Sequence, residues 1–371
     1  MHDIIFDAHL DLAAIAVNRR DMDEADLSRI DRPWPPASVT LPSLNTGRVR
    51  FCLATIFTER DGDGPEGYPE GDAEAAHKRG RAQLEAYLTW HDEKKINLGL
   101  RSYLVDDPGV GEIKGGMGVA EPRPFSLDSK LRKLNNQPPL IAGLLMENAD
   151  PIRTPDEVAY WKSKGMIATG LTWARNSRYA SGNATSPEHD TGVTDAGRDL
   201  IAALDEHNVV HDLSHLSQRS TDELLGITDR PVIASHSNCR AMLKEGDQRH
   251  LADATIQEIA RRGGVIGLVL ARNFVEPNGE ATIDLALDHV ERICDLVGTR
   301  ACVGIGSDMD GGFGADDLVE GIRTPSDLFK LGEQLRRRGW SDEEVHGFTH
   351  MNWLRFFDSV INNPVSGTVR A

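Results

Sequence analysis

Eight short runs of apolar, largely β-branched residues recur along the chain, over residues 3–8, 48–57, 139–146, 166–173, 208–213, 231–235, 264–270 and 301–306. Runs of this length without polar alternation read as strands buried on both faces, as in a parallel sheet. Between most of them the apolar positions recur every three to four residues, which predicts helices over 73–94, 154–164, 194–208, 217–226, 253–262 and 283–297. Start signals support several of these: Pro155 and Glu157 follow Thr154, Ser217 opens one helix, and Asp-Glu-Glu follows Ser341. Strands alternating with helices imply an α/β fold, and eight strands close a (β/α)8 TIM barrel; an open doubly wound sheet is the alternative. Beyond Thr324, two more amphipathic helices, 326–338 and 342–360, are expected to pack on the outside of the barrel. Stretches 60–72 and 106–139, dense in Gly, Pro, Asp or Asn, read as irregular loops. No repeat or linker breaks the pattern, so residues 1–371 are taken as one domain.

Five of the runs end in His, Asp or Glu: His9 and Asp11, Glu147, His215, His236, and Asp308. Parallel strands that end in such groups deliver them to one rim of the sheet, so the five endings predict one shared site. Within His9-Leu10-Asp11 the two polar residues lie two apart, which on a strand points them the same way. Alone, that motif also fits a structural hydrogen bond; Glu147, His215 and His236 shift the balance to metal. The expected arrangement is His9, Asp11 and Glu147 around one ion and Glu147, His215 and His236 around a second, with Glu147 bridging. Imidazole and carboxylate donors with open positions favour two zinc ions per chain, manganese and iron being the alternatives. Asp308 and Glu147 are the catalytic candidates, Asp308 for proton transfer. Arg240, four residues past His236, is expected to clamp a substrate carboxylate. His211 is expected to be buried and hydrogen-bonded, and most other histidines to lie at the surface.

Composition narrows the partners. With 58 acidic and 41 basic residues the net charge is -17, which repels nucleic acid and anionic lipid and disfavours them as partners. No apolar stretch reaches the roughly 18 residues of a membrane span. A core strand starting near Asp3 leaves no room for a signal peptide, so the expectation is a cytoplasmic protein without membrane attachment. Cys52, Cys239, Cys294 and Cys302 lack C-x-x-C spacing and are expected to be reduced and buried.

The stretches Asp7-Ala8-His9-Leu10-Asp11, Asp212-Leu213-Ser214-His215, Ser235-His236-Ser237-Asn238-Cys239-Arg240 and Gly304-Ile305-Gly306-Ser307-Asp308-Met309-Asp310-Gly311 stand in order with Glu147 between the first two. Together with Gly339-Trp340-Ser341-Asp342-Glu343-Glu344 they resemble the membrane (renal) dipeptidase family, peptidase family M19, among the amidohydrolase-like metal barrels. The resemblance implies a zinc-dependent dipeptidase, usually a homodimer, that uses a metal-bridging hydroxide and tolerates a D-residue at the C-terminal position. It implies metal ligands at His9, Asp11, Glu147, His215 and His236, carboxylate binding by Arg240 and proton transfer by Asp308.

The chain departs from the family's pattern after the fourth strand, where a Leu-Thr-His-Asn-like segment supplies a substrate-binding histidine. Here Trp173 stands in that place, followed by Ala174 and Arg175. An indole N–H donates but does not accept, and Arg175 carries charge suited to a developing oxyanion, so Trp173 and Arg175 are substrate-binding candidates. The departure keeps two other functions open: a binuclear amidohydrolase for N-acyl amino acids or lactones, and a metal-binding family member without catalysis. The retention of all five ligand positions together with Asp308 favours the hydrolase.

Overall fold

A computed structural model describes residues 4–104, 139–243 and 247–362. The expected 106–139 loop therefore lies outside the described residues, apart from Pro139.

Eight parallel strands form a barrel: β1 (Ile5–Leu10), β2 (Val49–Ile56), β3 (Leu140–Met146), β4 (Met166–Gly170), β5 (Val210–Asp212), β6 (Val232–Ile233), β7 (Ile266–Leu268) and β8 (Val303–Ile305). Each pairs with the next from β1 to β6, β7 pairs with β8, and β8 returns to β1. The remaining gap, β6 to β7, is joined by a parallel bridge between Ala234 and Ile266. All eight predicted strands are present, most of them a few residues shorter than the apolar runs. The fold is the expected (β/α)8 TIM barrel.

Alternation along the strands sorts the core into two layers. One face of each strand, including Ile5, Ala54, Leu144 and Val232, packs against the surrounding helices in a large cluster. The opposite face, including Phe6, Phe51, Leu53, Ile141, Leu145, Val210 and Ile233, fills the barrel interior. The outer helices start where the sequence signals them. Thr194, Ser217, Thr282 and Ser341 each accept a hydrogen bond from a backbone N–H of the first turn.

Two expectations change. The segment expected to be irregular near residues 60–72 contains a short parallel ribbon, Glu59–Arg60 with Gly67–Tyr68. More consequential is the C-terminal helix Asn352–Asn362, which does not pack on the outside of the barrel. Its Trp353, Leu354, Phe356 and Phe357 join the interior cluster and close the end of the barrel opposite the candidate site. Trp353 and Phe357 stack on Phe6, each with ring centroids 6.0 Å away, and the Trp353 indole N–H donates to Ile305 O at 3.1 Å. Gly304 makes room for that indole, since a Cβ there would lie 2.3 Å from its nitrogen. An amphipathic pattern says that one face is buried but not what buries it; here the partner is the ring of aromatic residues at the barrel floor.

Candidate metal centre

The site forms at the C-terminal ends of the strands, the end at which TIM barrels build their active sites. β1 brings His9, but not by simple alternation. Its pairing with β2 slips between Asp7 and Leu10, where one extra residue on β1 makes a bulge. Phe6 and Ala8 point into the interior below the bulge, and His9 turns inward above it. Asp11 lies beyond the strand, at the start of helix Leu12–Val17, so its position beside His9 comes from the bulge and turn rather than from strand geometry. Glu147 follows β3 directly, its N–H held by Ile56 O at 3.1 Å.

His215 and Asp308 take positive φ angles, 66° and 60°. Non-glycine residues adopt this left-handed backbone only where their surroundings compensate its cost. Behind Asp308 the chain must be glycine: a Cβ on Gly311 would fall 1.9 Å from Asp308 Oδ1.

The side chains converge on Glu147. Its Oε1 lies 3.6 Å from His9 Nε2, 3.2 Å from His215 Nε2 and 3.5 Å from His236 Nε2. Asp11 Oδ1 and Asp308 Oδ1 lie 3.8 and 3.9 Å from His9 Nε2. Three overlapping donor sets could each hold a cation: His9, Asp11 and Glu147; Glu147, His215 and His236; and His9, His236 and Asp308. The first two are the sets read from the sequence, and the third adds Asp308 as a possible ligand. His215 Nε2 and His236 Nε2 face each other at 2.9 Å. Two imidazole nitrogens so close either share a hydrogen or stand near enough together to bind one cation.

Electrostatics supports the same reading. Burial, reinforced by the charge of Arg249, lowers the His9 pKa to about 3. Burial also holds His215 and His236 well below the usual histidine range. The three rings are therefore neutral and able to coordinate. Burial raises Asp11 to about 6 and pushes Glu147 and Asp308 well above the ordinary carboxylate range, with the neighbouring carboxylates adding to the effect in the last two. Arg249 brings one positive charge to these crowded carboxylates, and a metal pair would supply the rest. His9 Nε2 is a buried nitrogen with no hydrogen-bond partner among the described residues, so the donor set fits bound metal.

Above the centre opens a cavity of about 560 Å³ whose lining includes Asp11, Glu147, His215, Asp308, Phe57, Glu59, Glu66, Trp173, Phe274 and Phe313. Trp173 forms part of the wall, its ring 5.6 Å from His215 and 5.3 Å from Phe57. Neither Arg240 nor Arg175 is among the lining residues. Arg240 Nε donates to His250 O at 2.9 Å, and Arg175 is exposed near Glu59 and Asp61. Asp310 serves as a brace, its carboxylate accepting from Arg20 and from the backbone N–H groups of Ser38 and Val39.

The sequence reading missed Arg249, a buried guanidinium that donates to His236 O and Ser237 Oγ and lies over the Phe274 ring. Its charge acts on His9, Glu147 and Asp308. It reaches the centre from a loop rather than a strand end, so no spacing marked it. Three of the remaining histidines, His250, His289 and His350, are also buried. His250 Nδ1 accepts from Asn238 N, and His289 joins Cys239 N to Val275 O.

Fold and site together define a TIM barrel with a buried cluster of carboxylates and histidines able to hold metal. The model of the membrane dipeptidase family, peptidase family M19, matches residues 1–364, and the chain belongs to that family. A dipeptidase of Clonostachys rogersoniana, verJ, is 31% identical over 191 residues, 51% of this chain and 47% of that protein. Dipeptidase 3 of Macaca fascicularis is 28% identical over 191 residues, 50% of this chain and 38% of its own. The matched segment thus spans about half the length of these relatives or less. Among solved structures, the probable dipeptidase PvdM of Pseudomonas aeruginosa superposes with a TM-score of 0.75 at 18% identity, covering 97% of this chain and 96% of its own. A metallopeptidase of Rhodobacter sphaeroides, liganded with a phosphinate mimic of L-Ala-D-Ala, gives 0.73 at 21% identity, covering 97% and 99%.

Proposed function

We propose that the protein is a metal-dependent dipeptidase that hydrolyses the amide bond of dipeptides, including those with a C-terminal D-residue. The observation that carries the reading is Glu147 Oε1 set within 3.6 Å of the Nε2 atoms of three neutral, buried histidines. Asp11 and His9 complete one ligand set, and His215 and His236 the other. Two zinc ions held there would supply an activated water and polarise a carbonyl. The family membership and the dipeptide mimic bound by the Rhodobacter sphaeroides relative support the substrate class.

The chain's own groups divide the remaining work. Asp308, beside His9, is placed to take a proton from the attacking water and pass it to the leaving amine nitrogen. Trp173 bounds the substrate and offers its indole N–H. Glu59 and Glu66, on the cavity wall, suit a substrate ammonium group. Arg249 is better placed than Arg240 to offset negative charge at the centre, since its guanidinium is buried within electrostatic reach of Glu147 and Asp308. A homodimer belongs to the proposal on the family resemblance, and a cytoplasmic setting on the four free, buried cysteines.

A second reading, hydrolysis of N-acyl amino acids or lactones, is favoured by Trp173, whose aromatic face stands where the family presents a histidine. Elemental analysis together with a panel of L-L and L-D dipeptides, N-acyl amino acids and lactones separates the two. Two zinc ions per chain with dipeptide turnover is the expected result. Glu147→Gln should lose bound metal and drop kcat/KM below about one-hundredth. Full turnover in that variant overturns the bridging role.

A further inference from the structure

We infer that one hydroxyl, Ser235 Oγ, fixes the protonation pattern of histidines in both metal positions and so couples the two; this rests on the metal-pair reading above. Asp212, at the end of β5, is the anchor. Its Oδ1 accepts from Ser235 N at 2.9 Å and Ser214 N at 3.0 Å, and its Oδ2 accepts from the Ser235 hydroxyl. That commits the single hydrogen of the hydroxyl to the carboxylate. Two lone pairs remain. One faces His236 Nδ1 at 2.8 Å and the other His9 Nδ1 at 3.3 Å.

Both imidazoles must then carry their hydrogen on Nδ1, which leaves each Nε2 with a lone pair turned toward Glu147. His9 rises from β1 and His236 follows β6, and the two rings meet at a tilt with centroids 3.6 Å apart. In the proposed ligand sets they belong to different ions. His215 is tied separately, through Nδ1 to Asn183 Oδ1 at 3.3 Å, so the coupling runs through His9 and His236 alone. Ser235 and Asp212 are positioning residues; neither is in the cavity lining.

The chemistry makes an asymmetric prediction for two nearly isosteric changes. Ser235→Ala removes the shared acceptor, frees both rings to change tautomer, and should weaken zinc binding at both positions by about 10- to 100-fold. Asp212→Asn keeps the shape but turns the acceptor at Oδ2 into an N–H donor. The Ser235 hydrogen is then driven toward one of the imidazoles, whose own hydrogen moves to Nε2, where it blocks the metal. Asp212→Asn should therefore lose zinc at least as readily as Ser235→Ala, whereas Ser235→Thr, which keeps the hydroxyl, should retain it.

The test follows release of zinc from the loaded, full-length proteins to a competing chelator, with 15N chemical shifts of the imidazoles reporting the tautomers. The expected result is accelerated loss of both ions in Ser235→Ala and Asp212→Asn, with near wild-type behaviour in Ser235→Thr. Retention of both ions, or loss of only one, in a folded Ser235→Ala protein overturns the coupling. If Ser235→Ala does not fold, Asp212→Asn decides by the same readout. A wild-type protein that binds no zinc overturns the metal-pair reading itself, a result distinct from unchanged variants of a zinc-loaded protein.

Discussion

His211 and His215 lie four residues apart, yet only His215 reaches the centre. His211 is buried and turned to Asp205, with Nε2 2.8 Å from Oδ1. Burial alone would raise the Asp205 pKa, but hydrogen bonds from His211 and Thr228 and the charge of Arg230 outweigh it and hold it below its usual 3.8. A carboxylate depressed by folding contributes stability that is fully present above its unfolded pKa and disappears as pH falls through the folded value. Asp205→Asn should therefore cost about 1–2 kcal/mol at neutral pH. The gap to wild type should close as the medium is acidified below pH 4, a trend that urea unfolding across pH measures directly. Of the site, His9, Asp11, Glu147, His215, His236 and Asp308 were legible because each follows an apolar run. Arg249, Ser235 and Asp212 were not legible as a group, because hydrogen bonds across a barrel leave no spacing in the chain.

At the scale of elements, the strands were legible because burial on both faces writes a continuous apolar run. The bulge in β1 was hidden, since one extra residue in Ile5–Leu10 looks the same as a regular strand until its pairing with Val49–Ile56 is known. The role of Asn352–Asn362 was hidden for a related reason, as nothing in its own periodicity distinguishes the barrel floor from the outer shell. Trp353 is fully buried there. Trp353→Ala should destabilise the fold by about 3–5 kcal/mol, read as a lower urea midpoint, because the aromatic ring around it has little room to collapse. A change under about 1 kcal/mol would mean that the helix does not close the barrel.

For the whole molecule, the proposed metals and the barrel are linked through Asp11, Glu147 and Asp308, three buried carboxylates that the metal-free protein must hold together. Any ion that binds the folded state alone stabilises it by mass action, about 4 kcal/mol at a thousandfold excess over its Kd. Chelation should lower Tm by several degrees with little change in helical signal, and zinc should restore it. A Tm indifferent to chelator in a protein that has lost zinc would separate the site from the stability of the fold. The net charge of -17 leaves the surface unfavourable for polyanions. Among the described residues no helix is long and apolar enough to cross a membrane.

Phe6, Phe51, Trp353 and Phe357 pack together at one end, so among the described residues the barrel opens at the other end. Among the described residues the packed interior leaves no route from end to end. If a dipeptide is cleaved above Glu147, as proposed, both fragments leave by the route the intact molecule took in. Each lingering fragment then stands in the path of the next arrival, so inhibition by products should be competitive with substrate.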